Sequence, residues 1–321
     1  MLSFKSLKVV LFSLLLCVSA EAGQLESNRG WEPTRTWVVA VGILEFQHGD
    51  SWDSFPKAGR KDTELVEFFR QAGVPRDQIL FLKDREATRS RIQRAMAQFL
   101  ERANEGDLLV FYYTGHGARD DDGITYFATY DADDDLAQTA WSVPSIFKII
   151  ERNFRGSRAL LLADCCYSGA LADEALRRRS PIAYAALTSA QSDSLSTAEW
   201  TFTEALLSAF RGNAKIDRNR DGEIELSELA RYERSRMWSK EGQLPTFKTS
   251  RDFSQEMVLA DVGHSTQTRA DARRVEVEWE GDWYPATILE VRGAKYRIHY
   301  LGYGAEWDEW VTGARMRYVE N

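Results

Sequence analysis

Uninterrupted apolar runs alternate with amphipathic stretches over the first two thirds of this chain, and no other feature restricts the fold as much. The runs WVVAVGIL (37–44), LLVFYY (108–113) and ALLLA (159–163) have no polar side, which is typical of strands covered on both faces of a sheet. Between the runs, apolar residues recur at helical spacing, as in 88–100. This alternation predicts an α/β domain with a mostly parallel sheet and helices on both faces.

The composition excludes several classes of protein. The 321 residues are 44% hydrophobic and 28% charged, which is enough apolar material for packed cores and too much for a disordered chain. A chain of this length favours two domains. Asp and Glu outnumber Lys and Arg by 49 to 41, for a net charge of −8. Because an acidic surface does not attract phosphate groups, we expect no nucleic acid partner and no membrane association of the mature protein.

The first 22 residues have the pattern of a secretory signal peptide. Lys5 and Lys8 precede an apolar run of ten residues (9–18), and 20–22 (AEA) is a small-x-small cleavage motif. The run is too short to span the hydrocarbon core of a bilayer, which is about 30 Å thick. We therefore expect cleavage near Ala22 and export to a periplasmic or extracellular location. An uncleaved anchor helix is the alternative.

Two short motifs lie where an open α/β sheet exposes its reactive groups. The third predicted strand ends in TGHG, with His116, and the fourth ends in DCCYSG, with the adjacent Cys165 and Cys166. Sites in such sheets form beyond the carboxyl ends of the strands. A thiol becomes a strong nucleophile when a neighbouring imidazole takes its proton, and backbone N–H groups at Gly117 and Cys166 can bind a developing oxyanion. The pattern predicts a Cys–His site.

The alternatives for these motifs are inert side chains or a metal. His116 could be a core histidine and the cysteines buried thiols, but two such motifs at equivalent strand ends make this interpretation the weaker one. A zinc site would need more ligands, and His48 is the only other histidine before residue 260. Adjacent cysteines rarely form a disulfide, because the bridge strains the peptide between them.

The two motifs resemble the signature blocks of caspase-like cysteine peptidases, in the branch of the metacaspases and paracaspases. The blocks are FYYTGHG and LLLADCCYSGA, and the resemblance extends over residues 33–258. It implies a caspase-like peptidase domain in which Cys166 is the nucleophile, His116 is the catalytic imidazole and Cys165 is a bystander. Tyr167 departs from the family, which usually has histidine at this position.

The same resemblance implies a specificity. In metacaspases the acidic residue two positions before the nucleophile lines the S1 pocket together with an aspartate near the first helix, and the matching residues are Asp164 and Asp62. Two carboxylates would select Arg or Lys at P1 of a protein or peptide substrate. The alternative for Asp62 is a carboxylate stabilised by a helix N-terminus. A preference for acidic P1 residues would need basic pocket residues, and the sequence offers no specific ones.

The segment after the nucleophile contains three consecutive arginines, Arg177, Arg178 and Arg179. The resemblance implies an exposed loop here that many relatives cleave. An enzyme that cuts after basic residues would find sites in such a loop, so we expect self-processing near 177–179. A solvated basic loop without cleavage is the alternative.

Residues 217–228 (DRNRDGEIELSE) match the calcium loop of an EF-hand. In that loop, side chains at positions 1, 3, 5 and 12 and the carbonyl at position 7 bind the ion, and glycine at position 6 permits the turn. The predicted Ca²⁺ ligands are Asp217, Asn219, Asp221, Glu223 and Glu228. The preceding helix is expected to end early, near Gly212, so the sequence predicts a single variant hand. An acidic turn without an ion is the alternative.

The C-terminal part of the chain has a different pattern. Residues 259–272 are polar and lack apolar periodicity, which indicates a linker, whereas 273–319 alternate as strands do and are rich in aromatic residues. The blocks WYPA, HY-x-GY and WDEWV resemble the Tudor-knot and chromo-barrel group of SH3-like modules, which implies a small all-β barrel. Modules of this group often bind cationic peptides in aromatic cages. Here we expect most of the aromatic residues in the barrel core, and the ligand is unknown.

Taken together, these features predict an exported caspase-like cysteine endopeptidase that cleaves after Arg or Lys, contains a calcium loop and ends in a Tudor-like module. The competing prediction is a catalytically inactive caspase-like scaffold that presents the module to a ligand. The presence of both His116 and Cys166 favours the enzyme.

Overall fold

A computed structural model describes residues 30–262, 274–279, 282–292, 295–301 and 307–318 of the chain. The predicted signal peptide (1–22) and the part of the predicted linker after 262 lie outside these residues. Within the described ranges, no helix has the length and apolar character that a membrane span requires.

The secondary structure follows the predicted alternation. The helices are α1 (Lys61–Gln71), α2 (Arg89–Leu100), α3 (Leu136–Thr139), α4 (Val143–Asn153), α5 (Gly169–Arg177), α6 (Thr201–Phe210) and α7 (Leu226–Glu241). The strands are β1 (Thr36–Gly42), β2 (Ile79–Lys83), β3 (Leu108–Thr114), β4 (Gly117–Arg119), β5 (Thr125–Phe127), β6 (Trp141–Ser142), β7 (Arg158–Asp164), β8 (Ala183–Thr188), β9 (Glu223–Glu225), β10 (Thr246–Thr249), β11 (Val258–Asp261), β12 (Arg274–Trp279), β13 (Asp282–Arg292), β14 (Lys295–Tyr300), β15 (Glu309–Thr312) and β16 (Met316–Tyr318).

The central sheet has the strand order β10-β8-β7-β3-β1-β2, and all neighbours except β10 and β8 run parallel. Every residue of β1 and β3 is buried, because both faces are covered. Alternate residues of β1 enter separate cores: Val39 and Val41 pack with α2, α4 and α5, and Val38 and Ala40 pack with α1, α6 and α7. The predicted mostly parallel sheet with helices on both faces is confirmed.

The α/β domain ends later than the sequence predicts. The expected linker begins at residue 259, but β11 pairs with β9 through Val258–Asp261. In addition, Trp31 Nε1 donates a hydrogen bond to the carbonyl of Leu259 over 2.8 Å. A strand of four residues gives too little alternation to be recognised, and the antiparallel edge strand β10 was missed for the same reason.

The C-terminal unit is a curled antiparallel sheet with the strand order β15-β14-β13-β12-β16, which confirms the predicted all-β module. Its small core consists mainly of valine and isoleucine, at Val275, Val277, Ile288, Ile298 and Val311. The expectation that most aromatic residues fill this core was wrong for the tryptophans. Four indole rings are 37–53% exposed, those of Trp279, Trp283, Trp307 and Trp310. The curled sheet encloses only a small volume, which branched aliphatic side chains fill.

Candidate active site

The register of the two central strands explains why distant residues meet. Thr114, the last residue of β3, pairs with Asp164, the last residue of β7. His116 and Cys166 each lie two residues beyond this pair, so the chain delivers them to equivalent positions at the same edge of the sheet. Both side chains, together with Asp164, line one cleft of about 320 Å³.

His116 is fixed by a backbone hydrogen bond and by aromatic rings. Its Nε2 lies 2.8 Å from the carbonyl oxygen of Asp53. Because a carbonyl only accepts, Nε2 bears the proton, and the neutral ring has its lone pair on Nδ1. The rings of Phe55, Phe46 and Trp52 lie 4.4, 5.0 and 5.4 Å from the imidazole. Burial lowers the pKa of His116, which favours the neutral ring that can accept a proton.

Cys166 lies in a sharp turn between β7 and α5. The next residue, Tyr167, has φ +57°, a left-handed conformation that side chains other than glycine rarely adopt. Such strain is typical of functional turns and costs on the order of 1–3 kcal/mol. The Sγ atom of Cys166 accepts a hydrogen bond from the backbone N–H of Ser196 over 3.1 Å. The Cys166 side chain is half-buried and lies at the cleft.

The neighbouring thiol is in a different environment. Cys165 is only 3% exposed and belongs to the core beneath the sheet edge. Burial raises the pKa of the Cys165 thiol well above its usual value, which favours the protonated form. The contrast agrees with the assignment of Cys165 as the bystander.

Gly117 begins β4, which pairs with β5 in a small antiparallel sheet. Its α-carbon lies directly against the backbone of Cys166. The two sequence motifs are therefore in contact through their backbones, and this contact leaves no room for a side chain at position 117.

Asp164 lines the cleft beside Cys166 and is 7% exposed. Thr203 on α6 donates a hydrogen bond from Oγ1 to Asp164 Oδ2 over 2.7 Å. Burial raises the pKa of Asp164 to about 7, although the bonds from Thr203 and Ser189 lower it. The carboxylate is thus placed at the cleft wall and titrates near neutral pH.

Asp62 is in a different place from the one predicted. Its side chain is fully buried and does not line the cleft, and its two carboxylate oxygens bind the guanidinium of Arg60. Arg60 also donates to Asp84 over 2.7 Å and to the carbonyl of Gly42 over 3.1 Å. The prediction that Asp62 faces a substrate is therefore wrong for this structure, because an intramolecular cation already neutralises it.

The three arginines lie at the end of α5 and in the connection that follows it. Helix α5 continues to Arg177, and β8 begins at Ala183, which leaves a short connection. The guanidinium of Arg178 binds the carboxylates of Glu151 and Glu174. Arg177 is exposed at the helix end and Arg179 is exposed in the connection, so cleavage near 177–179 stays a prediction.

The loop 217–228 has the turn geometry of a calcium loop. Gly222 has φ +89°, and side-chain oxygens accept N–H groups two to five residues ahead, at Asp217 (2.6 Å from Arg220 N), Asn219 (3.0 Å from Asp221 N) and Asp221 (2.9 Å from Glu223 N). Glu228 accepts backbone N–H groups from both ends of the loop, including Arg218 N at 2.7 Å and Glu225 N at 3.2 Å. The donor set fits Ca²⁺ chemically.

The same loop also departs from a paired EF-hand. Helix α6 ends at Phe210, well before the loop, and β9 pairs with β11. In the described part of the chain, no three His, Cys, Asp or Glu side chains converge as a metal site. Calcium binding by Asp217, Asn219, Asp221, Glu223 and Glu228 stays a prediction.

The C-terminal sheet has an aromatic pocket of about 130 Å³, lined by Trp279, Tyr284, Tyr300 and Trp307. The guanidinium of Arg315 lies 5.7 Å from the ring centre of Trp279. Cations are attracted to the faces of such rings, so the pocket is suited to a positively charged group.

Several residues at the cleft were not found from the sequence. They act through backbone atoms or through loops without a pattern: Asp53 through its carbonyl, Ser196 through its amide, and Gln243 through bonds to the Ser196 segment. Only the aromatic residues near His116 left a signal, as the cluster FQHGDSWDSF (46–55).

Comparisons with known proteins cover two parts of the chain. Residues 74–175 match the family described as the metacaspase, peptidase C14 domain, and 269–318 match the Tudor-knot, described as an RNA binding activity-knot of a chromodomain. Metacaspase-4 of Arabidopsis thaliana is 35% identical over 99 residues, which is 28% of this chain and 22% of the relative. The chain thus spans about a fifth of the length of that curated relative.

The fold also resembles a solved structure. A crystallised protein from Geobacter sulfurreducens aligns with a TM-score of 0.50 over 72% of this chain and 98% of its own length, with 14% sequence identity. At this identity the likeness concerns the fold alone.

Proposed function

We propose that this chain, which contains a metacaspase peptidase C14 domain and a Tudor-knot domain, is a cysteine endopeptidase that cleaves after Arg or Lys. One observation supports the proposal above all others. The pairing of Thr114 with Asp164 places His116 and Cys166 at equivalent strand ends on one open cleft.

The chemistry follows from the two side chains. The neutral ring of His116 accepts the thiol proton of Cys166 at Nδ1, because Nε2 already donates to Asp53. The thiolate sulfur attacks the carbonyl carbon of the substrate, and the backbone N–H groups of Gly117 and Cys166 bind the oxyanion. His116 then gives its proton to the leaving amine, which leaves a thioester on Cys166. Water, deprotonated by His116, hydrolyses the thioester and restores the thiol.

The specificity is assigned to Asp164 alone among the two predicted acids. Its ionised carboxylate at the cleft wall binds the guanidinium or ammonium group of P1 by charge-assisted hydrogen bonds. Asp62 is already paired with Arg60, so it supports the fold beneath the cleft rather than the substrate.

The test is hydrolysis of a fluorogenic peptide with Arg at P1 and of the same peptide with Asp at P1, each with and without Ca²⁺. Turnover of the Arg peptide that is lost in Cys166→Ala and in His116→Ala supports the proposal. Preferential turnover of the Asp peptide overturns the specificity. No turnover by folded protein under any condition supports the inactive scaffold instead.

Three further parts of the proposal come from the sequence. Export with cleavage near Ala22 is tested by N-terminal sequencing of the secreted protein.

Binding of Ca²⁺ to the loop 217–228 is supported by its oxygen ligands and its Gly222 turn. Self-cleavage near 177–179 is supported by the exposure of Arg177 and Arg179, and mapping N-termini in wild type and Cys166→Ala tests it.

The Tudor-knot domain is proposed as a binding module whose aromatic pocket takes a cationic side chain. The pocket of Trp279, Tyr284, Tyr300 and Trp307 supports this assignment. Titration with lysine-rich and trimethyllysine peptides, with Trp279→Ala as the control, is expected to show binding to the wild type only. Binding of RNA in place of these peptides would contradict the assignment.

A further inference from the structure

A buried glutamine follows the last helix of the peptidase domain and contacts the segment beside the nucleophile. Gln243 is 8% exposed, and it comes directly after Gly242, whose φ of +65° ends α7. Its Oε1 accepts the backbone N–H of Thr197 over 3.0 Å. Its Nε2 donates to the Ser196 hydroxyl over 3.0 Å and to the carbonyl of Ser189. One amide side chain thus binds three points of one loop.

This loop needs such a restraint, because it has no secondary structure of its own. It connects the end of β8 at Thr188 with the start of α6 at Thr201. Its apolar residue Leu195 is 66% exposed, so little burial fixes the tip of the loop. Residues 196–197 are held from two sides. Cys166 and Ser189 bond to Ser196 from one side. From the end of α7, Glu241 bonds to Thr197 Oγ1 and Gln243 bonds to both residues, and Gln243 is the buried one of these two side chains.

The position of residue 196 matters because its backbone N–H points at the sulfur. Ser196 N lies 3.1 Å from Cys166 Sγ, within hydrogen-bonding distance for sulfur. The thiol also donates to the carbonyl of Ser196 over 3.6 Å, so residue 196 contacts the sulfur through both of its backbone groups. When the proton leaves, only the N–H contact stays favourable, and a fixed N–H then stabilises the thiolate. It also fixes the direction from which the sulfur faces the cleft. A displaced loop would remove both effects.

From these contacts we propose that Gln243 is a positioning residue for the nucleophile: it holds the Ser196 amide against Cys166 Sγ and thereby increases the reactivity of the thiol. The inference rests on the proposed function only in taking Cys166 as the nucleophile. Other ionisable groups lie around the sulfur and are unchanged by substitution of Gln243. They are His116 at the end of β3, Asp164 and Cys165 at the end of β7, Glu199 on the cleft wall and Glu241 at the end of α7.

The test is the pH dependence of alkylation of Cys166 by iodoacetamide in the full chain, followed by mass spectrometry of the Cys166 peptide. Gln243→Met keeps the volume and removes all three bonds. We expect the midpoint of the alkylation profile to move up by about one pH unit, which is a tenfold change in the thiol–thiolate equilibrium. Gln255→Met is the matched control, because Gln255 is exposed and bonds only to Thr249 through its side chain. Its profile is expected to match the wild type.

If Gln243→Met does not fold, Gln243→Asn replaces it, because it keeps the amide and withdraws it by about 1.5 Å. An unchanged alkylation midpoint in either folded variant overturns the inference. Alkylation requires no peptide turnover, so the two proposals fail separately. A protein that hydrolyses no peptide but shows the shifted midpoint refutes the peptidase and keeps the role of Gln243. If the protein hydrolyses the Arg peptide and its Gln243 variants keep the wild-type alkylation midpoint, the peptidase proposal stands and the role of Gln243 is refuted.

Discussion

The α-carbon of Gly117 lies so close to the carbonyl group of Cys166 that a methyl group on it would stand 2.0 Å from the carbonyl oxygen. The same methyl group would lie 3.0 Å from the carbonyl carbon of Cys166 and 3.3 Å from Cys165 Sγ. The glycine after His116 is therefore required by the contact between the two motifs, independently of any role of its N–H group. The contact links the position of β4, which begins directly after His116, to the position of the turn that contains Cys166.

Substitution Gly117→Ala tests this contact. Because backbone atoms must move, we expect a loss of about 1–3 kcal/mol of unfolding free energy. Displacement of the sulfur by about 1 Å should lower kcat/KM by about 100-fold. Urea unfolding and Arg-peptide hydrolysis measure the two effects. Gly30→Ala is the control, since its added methyl group would meet only the carbonyl of Val258 at 3.8 Å. Equal effects of the two substitutions would contradict the steric explanation.

The pKa of Asp164, raised to about 7 by burial, predicts how substrate affinity depends on pH. A cationic P1 side chain binds the ionised form, so KM for an Arg peptide should rise about tenfold per pH unit below about 7 and level off above it. Asp164→Asn should raise KM by about 10- to 100-fold at pH 8 and remove this dependence. Steady-state kinetics between pH 5 and 9 provide the measurement.

The bond from Thr203 provides a matched pair of variants for the same group. Thr203 stabilises the ionised form of Asp164, so Thr203→Val should move the KM transition to higher pH, whereas Thr203→Ser should retain it.

The raised pKa of Asp164 also makes the unfolding free energy depend on pH, in the opposite direction from that of an ordinary carboxylate. A raised pKa in the folded state stabilises the fold below the unfolded value near 3.8, and this contribution is lost as pH rises through about 7. Asp164→Asn should therefore unfold at higher temperature than the wild type at pH 8, and a lower value would refute the assignment.

Asp62 and Asp164 should give opposite results upon substitution. Asp62→Asn removes one carboxylate partner of Arg60 and leaves Asp84 as the other, and the loss of the charge-assisted bonds costs about 1.5–3 kcal/mol of stability. KM of the folded variant for an Arg peptide should remain at the wild-type value. Thermal unfolding and kinetics on the same preparation measure both quantities. A large increase in KM with unchanged stability would instead restore Asp62 to the substrate site.

Calcium should stabilise the loop 217–228 and the helix that begins beside it. A concentration ten times Kd contributes about 1.4 kcal/mol, which corresponds to a Tm increase of about 3–6 °C for a domain of this size. The exposed Trp238 on α7 is a fluorescence reporter that needs no peptide substrate. Asp221→Asn keeps the acceptor for the N–H of Glu223 and removes a charge, so it should reduce the Ca²⁺-induced shift. An acidic residue outside the loop, in Asp77→Asn, serves as the control, and no Tm shift in wild type would exclude the site.

The secondary structure could be predicted because its signals are local, whereas the choice of Cys166 as nucleophile stays a prediction. The alternation of covered strands with amphipathic helices can be recognised from the spacing of apolar residues along the chain. The motifs TGHG and DCCYSG each follow a predicted strand, which places two reactive groups at strand ends. The α/β fold, the covered strands and the all-β module were obtained in this way. Short strands such as β10 and β11 were not, because four residues do not establish a period.

By itself, the sequence determined which residue types reach the carboxyl edge of the sheet, since side-chain periodicity reflects which face of each element is buried. Only the tertiary structure decided their partners: Arg60 for Asp62, the Asp53 carbonyl for His116, and the Ser196 amide, positioned by Gln243, for Cys166. Two of these contacts use backbone groups, which are the same in every residue and leave no trace in the sequence. The contact of Asp62 with Arg60 is an internal ion pair, and only proximity in the folded chain shows which cation a buried carboxylate binds.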